Sequence, residues 1–531
     1  MIPCRFVTGQ DGRARGALPF WLLVLGAFAA LTTPRAAQPG MFGDGVIYAA
    51  IARNLADGLG SIWAPIYDRP GQAFYEHPPL GFALESLAFR LLGDHLFVER
   101  LASIAAGALT MLLIAQLWRQ TPGPPRAAWV PIIFWLVPSS VTWAIINNLL
   151  DVQQALFTTL AVFAYLRALD TGRVDPGKSS TTTSTREDGR QAAARIAWAA
   201  LAGAAIAAAV LVKGPTGLFP LAAPVVAAMV FPRRQPALRA GIVMAAAAGA
   251  IAVALTLHPA ARAALQTYLA DQVFASVIGA RGQEDRWTSL PHHLVMGVLL
   301  RMTALLGLAW FVARLARATG RAPAGSSRVA LFFLLMGLAA SLPIATSRRI
   351  IGHYFVPSIP MFALGFAALA YDRVYPALVR LDASRRARRT AAALGLSLMM
   401  TSIALPLAGI VWEPRDVARV AEYRALRSTF PTRTTAGTCE GALADFTRTA
   451  YLQRFLRLHL DDGPGRDRHA YFIRPLDLPC APPPHCVVVN TGPTLETSRC
   501  GSPSTDAVPA GTRRTELQLG FDRRRPAPRR G

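Results

Sequence analysis

Six polar clusters interrupt an otherwise apolar chain: Gly43-Asp44-Gly45, Glu76-His77-Pro78-Pro79, Asp151, Lys213-Gly214-Pro215, Gln283 to Trp287, and Arg348 to Tyr354. Carboxylates of the Asp44, Glu76 and Asp151 type can take a proton from a hydroxyl nucleophile. Ammonium, guanidinium and imidazole groups such as Lys213, Arg348, Arg349, His77 and His353 can bind or stabilise an anion, and a Tyr354 hydroxyl can donate to one. In the predicted topology nearly all of these residues fall on one side of the membrane. Acid, base and cation gathered at one face read as a reaction centre fed from the bilayer. A channel or carrier would more naturally place its charges in mid-membrane.

The elements that must position them are membrane helices. The chain has 531 residues, of which 53% are apolar and only 16% charged, too apolar for a soluble protein of this length. Windows of about 20 uncharged residues are long enough to cross the hydrocarbon core. About eleven such segments are predicted, near 18–34, 97–118, 128–146, 150–168, 196–212, 216–231, 240–258, 292–313, 329–346, 354–371 and 391–411. Leu80 to Leu92 is shorter and carries Glu85 and Arg90, so it reads as a re-entrant or interfacial helix. The fold class is therefore mainly α: a polytopic membrane protein with long loops at 35–96 and 259–291.

Lys and Arg are concentrated in alternate connecting segments, which predicts a cytoplasmic N-terminus, residues 1–17, and a tail after 411 on the opposite side. The first apolar span lacks an obvious cleavage site and reads as a retained helix. The net charge of +24 is then largely topological, attracted by anionic lipid rather than nucleic acid. Residues 412–505 are more polar, with helical patterns around Asp416–Ser428 and Ala442–Leu458 and strand-like runs at Tyr471–Ile473 and Val487–Asn490. They are expected to form a small α/β domain, followed by a disordered Arg- and Pro-rich tail at 506–531. Cys439, Cys480, Cys486 and Cys500 all lie in this region. In an oxidising compartment they would form two disulfides in one of three pairings, and paired zinc-ligand spacing is absent.

Locally, Asp44 opens a helical pattern with Val46, Ile47, Ala50, Ile51 and Leu55 on one face and Arg53, Asn54 and Asp57 elsewhere. This predicts an amphipathic helix at the membrane surface, and the plain structural role for Asp44 is its N-cap. Pro78-Pro79 fixes Glu76 and His77 as extended chain ahead of the next helix. Of the 55 Lys and Arg residues, only Lys178 and Lys213 are lysines. A lysine at the end of a span can simply snorkel to the interface. Arg348 and Arg349, against the charge bias of that side, can equally be a solvated pair, and Tyr354 an interfacial anchor.

Asp44-Gly45-x-x-Tyr48-x-x-x-Ala52-Arg53, Tyr75-Glu76-His77-Pro78-Pro79-Leu80, Leu92-Gly93 and Glu99-Arg100-Leu101 together resemble the start of the C-type glycosyltransferases that use polyprenyl-phosphate sugars. Protein O-mannosyltransferase-like enzymes and lipid A aminoarabinose transferases are of this kind. Asn147 to Asp151, Lys213-Gly214-Pro215 with Pro220, and Arg348-Arg349 with His353-Tyr354-x-x-Pro357-x-x-Pro360 continue the likeness through most of residues 41–365. In the aminoarabinose-transferase pattern a Lys precedes Pro-Pro, whereas here it is His77, cationic only when its pKa is raised.

The resemblance implies a membrane-held donor, a sugar on a polyprenyl phosphate, transferred to a glycan, lipid or protein hydroxyl with inversion. Asp44 would be the base, with Asp151 and Glu76 positioning the acceptor or tuning it. Lys213, His77, Arg348, Arg349, His353 and Tyr354 would serve the donor phosphate, and Arg281 and Arg286 would be contacts from the second long loop. The implied site lies at the periplasmic face of a bacterial inner membrane. No cofactor is expected; Asp44, Glu76, His77 and Asp151 include metal-type ligands, which leaves a divalent metal open, but they lack metal-site spacing. Two other classes remain on the sequence alone. A lipid-linked-sugar flippase or transporter would show related halves and broken helices, and a scaffold displaying the tail would tolerate loss of Asp44.

Overall fold

The computed structural model describes residues 18–68, 72–121, 127–170, 185–232, 234–280, 286–315, 326–348, 350–410 and 415–501. Arg281 and Arg349 lie outside the described residues, as does the side chain of Arg286. The 506–531 tail and the 1–17 segment are also outside them. The chain divides into two compact units. The first runs to Thr434 and takes in Leu443–Leu460, and the second is Thr435–Ala442 with the chain from Asp461 onward.

The first unit is helical. Among the described residues, nine helices are long and apolar enough to span a membrane, or ten if one bent pair is a single span. They include α1 (Leu18–Ala36), α4 (Val98–Arg119), α7 (Leu150–Asp170) and α8 (Thr185–Lys213). Two predicted spans take other forms. The 128–146 segment breaks into α5 (Trp129–Leu136) and α6 (Ser139–Ile146), bent by 78°. Pro138 sits in the break with extended backbone, because it has no amide hydrogen to donate and disfavours helix in the residue before it. The 216–231 segment starts as a 3-10 helix over Pro215–Ala222 and becomes α-helical only at Ala223–Val230. Pro215, Pro220 and Pro224 each withdraw a donor, and the apolar stretch is short for a hydrocarbon core of about 30 Å.

Between spans lie α2 (Gly43–Ala56) and α3 (Leu80–Leu92). The predicted bounds of α3 agree with those observed. Pro78-Pro79 stiffens the entry, and Gly93 at φ 82° ends the helix in a conformation that disfavours a side chain. Two of the polar residues predicted off the apolar face of α2 are not solvated, while Asp57 at its end is exposed. Arg53 and Asn54 are each 1% exposed. Arg53 donates to the carbonyls of Arg454 at 2.9 Å and Gln453 at 3.1 Å, while Asn54 donates to those of Ile66 and Tyr67. The helix carrying Arg454, Phe446–Leu456, therefore packs on α2 rather than in the tail unit. For that reason the boundary expected at 412 is not where the chain divides.

The second unit holds four hydrogen-bonded strands in the order Thr435–Thr438, Tyr471–Pro475, Leu495–Cys500, Cys486–Thr491. The first pair is parallel and the rest are antiparallel. Its buried cluster is Cys439, Ala442 and Phe472. Disulfides Cys439–Cys480 and Cys486–Cys500 brace this small core, and the second joins residues directly opposite across two strands.

In the first unit, His459 is buried against Gln453 and the Asp68 carbonyl. Burial, with the Arg53 guanidinium adding, holds its pKa down at about 4. A depressed folded-state pKa contributes stability that is present above about pH 6.5 and lost as pH falls towards the folded value. Thermal unfolding in detergent should therefore show wild type losing more stability than His459→Gln between pH 7 and 4.5, by at most about 3 kcal/mol. Equal losses would contradict this placement.

Candidate active site

The N-terminal end of α2 is brought against the turn that precedes α7. Phe42, the N-cap of α2, makes no side-chain cap and donates its amide to Asn147 Oδ1 at 2.7 Å. Asp44 stands in the first helical turn and is not the cap. Gly45 permits the approach, because a Cβ there would overlap the Asn147 carbonyl oxygen. Arg100, 1% exposed, donates to the Gly40 carbonyl at 2.8 Å and the Ile146 carbonyl at 3.0 Å. Glu99 balances its charge at 3.0 Å. One guanidinium thus fixes the chain four residues before Asp44 to the chain five residues before Asp151.

Asp151, in the first turn of α7, is 1% exposed and paired with Lys213 at the end of α8. One turn further on, Gln154 donates to the Ala209 and Gly214 carbonyls and accepts from Thr216. Tyr268 donates to the Lys213 carbonyl at 3.1 Å. The Lys213 ammonium lies 5.0 Å from the Tyr354 ring centroid, a cation–π distance. Lys213 therefore turns inward to a carboxylate and an aromatic face, and it does not snorkel.

Tyr48 lies one turn along α2 from Asp44 and is 2% exposed. Its hydroxyl is 2.9 Å from His77 Nε2, and the two rings meet edge to face. Its pKa is pushed well above the ordinary value, first by burial and then by the charges of Asp44, Asp151, Tyr354 and Glu76. Five predicted site residues, from four parts of the sequence, therefore surround one phenol. With Lys213 they put a base, a cation and a neutral hydroxyl donor within one group, which suits proton abstraction beside a departing anion.

Residues 76–176 match the family model described as dolichyl-phosphate-mannose-protein mannosyltransferase. The structure of ArnT from Cupriavidus metallidurans bound to undecaprenyl phosphate aligns over 90% of this chain and 97% of its own, at TM-score 0.62 and 18% identity. The apo form of the same protein aligns over 91% and 97%, at TM-score 0.58 and 18% identity. This chain has the C-type glycosyltransferase fold. No curated protein matches it in sequence.

His353 is buried, stacked on Trp143 at 5.9 Å and edge-on to Tyr354 at 4.9 Å, so it supports Tyr354. Arg348 has its side chain against Gly279 and its amide bonded to the Ser276 carbonyl. Tyr48, Arg100, Asn147, Gln154 and Tyr268 had no role assigned from sequence. Tyr48 had a readable signal, because its spacing from Asp44 puts both on one helix face. Arg100 should be sensitive to shape as well as charge. Arg100→Lys keeps the cation but lacks the two spaced nitrogens that reach the Gly40 and Ile146 carbonyls, and an unpaired buried acceptor costs about 1–3 kcal/mol. The expected result is a lowered Tm for the full-length protein in detergent, and an unchanged Tm would contradict the bridge.

Proposed function

We propose that this protein is a membrane glycosyltransferase that moves a sugar from a polyprenyl phosphate to a hydroxyl of an envelope acceptor, at the periplasmic face of a bacterial inner membrane. The observation that carries the reading is the convergence of Asp44, Asp151, Lys213, His77 and Tyr354 around Tyr48 at the ends of apolar helices. The fold shared with an ArnT structure bound to undecaprenyl phosphate and the match to a mannosyltransferase family support the same donor chemistry. The basic-segment bias supports the orientation.

In this reading Asp44 takes the proton of the acceptor hydroxyl as its oxygen attacks the anomeric carbon. The bond from that carbon to the phosphate oxygen breaks on the opposite face, so the sugar inverts. The lipid phosphate leaves carrying the electron pair, and Lys213 neutralises it while Asp151 holds the ammonium in place. His77 and Tyr48 form a second hydrogen-bonding group beside the phosphate, and Glu76 biases the site electrostatically.

The test is mass spectrometry of envelope glycans and lipid-linked sugars in a deletion strain carrying wild type or Asp44→Asn at equal membrane level. Wild type should restore a glycosylated product. Asp44→Asn should reduce it about 10²- to 10⁴-fold and leave unused lipid-linked sugar. Equal restoration by both would overturn the catalytic reading and favour a carrier or scaffold.

A further inference from the structure

Glu85 is a buried carboxyl that the mechanism above does not use. It sits in the second turn of α3 and is 0% exposed. Its Oε1 accepts a hydrogen bond from Asn148 Nδ2 at 2.8 Å. Among the described residues its other oxygen, Oε2, has no hydrogen-bond partner, and neither does the buried Asn148 Oδ1. With Glu85 ionised, both of these oxygens are acceptors without a donor, in a place where such a deficit is costly. One proton on Oε2 changes that count. A carboxylic acid can donate to an amide oxygen while it accepts from the amide nitrogen.

The surroundings act in the same direction. Besides the Asn148 turn, α3 packs on α2, α4 and α8. Burial is the largest influence on Glu85 and raises its pKa well above the usual carboxylate range. The charged groups acting on it are Glu99 of α4, which disfavours a second negative charge, and Arg454, which favours one. Arg454 is itself held by Asp94 and Glu99, at 2.6 Å and 2.9 Å.

What Glu85 holds is the junction between the two proposed site carboxylates. Asn148 has a left-handed backbone, φ 53°, which is unfavourable for a residue with a side chain and persists only where the surroundings enforce it. Its neighbour Asn147 accepts the Phe42 amide at 2.7 Å. A Cβ at Gly45 would overlap the Asn147 carbonyl oxygen and lie 3.5 Å from the Asn148 Cβ. Asp151 follows in the first turn of α7. One turn therefore sets both the start of α2, which carries Asp44, and the start of α7.

We propose that Glu85 is a positioning residue that works as a neutral carboxylic acid: paired through both oxygens with the Asn148 amide, it fixes the turn that sets Asp44 relative to Asp151. What the turn is for rests on the transferase reading, and the protonation state does not.

The test uses full-length wild type, Glu85→Gln and Glu85→Leu, in nanodiscs and at equal membrane level in the complemented deletion strain. The infrared difference between wild type and Glu85→Gln at about pH 7.5 should show the carbonyl stretch of a protonated carboxyl. Glu85→Gln is neutral and can make the same pair of bonds, so its product by mass spectrometry should stay within about threefold of wild type. Glu85→Leu keeps the bulk but releases the turn. Its product should fall about ten- to hundredfold, while its binding of radiolabelled undecaprenyl phosphate stays at the wild-type level. An ionised-carboxylate band in place of the protonated one, or a loss of product in Glu85→Gln as deep as in Glu85→Leu, would overturn the neutral-acid assignment. Wild-type product from Glu85→Leu would overturn the positioning role. Loss of undecaprenyl phosphate binding along with product would overturn it too, by making Glu85 a general packing residue. Asp44→Asn in the same strain reports on the transferase reading separately.

Discussion

The Asp151–Lys213 pair is the interaction on which the site depends. Asp151 is buried at the start of one span and Lys213 at the end of the next. Neither charge is tolerable there alone, because removing one partner of a buried pair typically costs about 3–5 kcal/mol. The pair therefore ties the start of α7 to the end of α8. Gln154 repeats the tie through the backbone of the Lys213-Gly214 turn, so the ammonium is positioned by side chain and main chain together. Among the described residues it is paired with one carboxylate, and in the proposed mechanism it is the cation that meets the donor phosphate.

Arginine supplies the rest of the framework. Arg100 joins the approaches to Asp44 and Asp151, and Arg454 joins Asp94 and Glu99 from the helix Phe446–Leu456. Arg53 caps that same helix end through two carbonyls. The forked guanidinium reaches several spaced buried acceptors in one fixed geometry, which a lysine's compact ammonium does not reproduce. Only two of the 55 basic residues are lysines, and the one on a span is the one set against a carboxylate and an aromatic ring. Fixed guanidiniums hold the scaffold, and in the proposed mechanism the compact ammonium meets the departing phosphate.

Much of this was legible because membrane burial writes itself into composition. The spans follow from apolar length, and α3 follows from Pro78-Pro79 at one end and Gly93 at the other. Asp44, Glu76, His77, Asp151 and Lys213 were expected together because the predicted topology puts them on one side of the membrane. What was hidden depended on partners remote in sequence. The pattern of α2 placed Arg53 and Asn54 on a polar face, but their acceptors include residues about 400 positions away, and no local period reveals that. The break at Pro138 had a local signal, yet apolarity on both sides masked it. Three disulfide pairings were open until the strand register set Cys486 opposite Cys500.

The most direct test of the account is a cryo-EM structure of the full-length protein in nanodiscs with undecaprenyl phosphate. The account predicts phosphate density within hydrogen-bonding distance of Lys213, beside Tyr354 and Tyr48, with the Asp44 carboxylate facing the open side of the phosphorus. A phosphate bound elsewhere, with the Asp151–Lys213 pair closed and inaccessible, would contradict it.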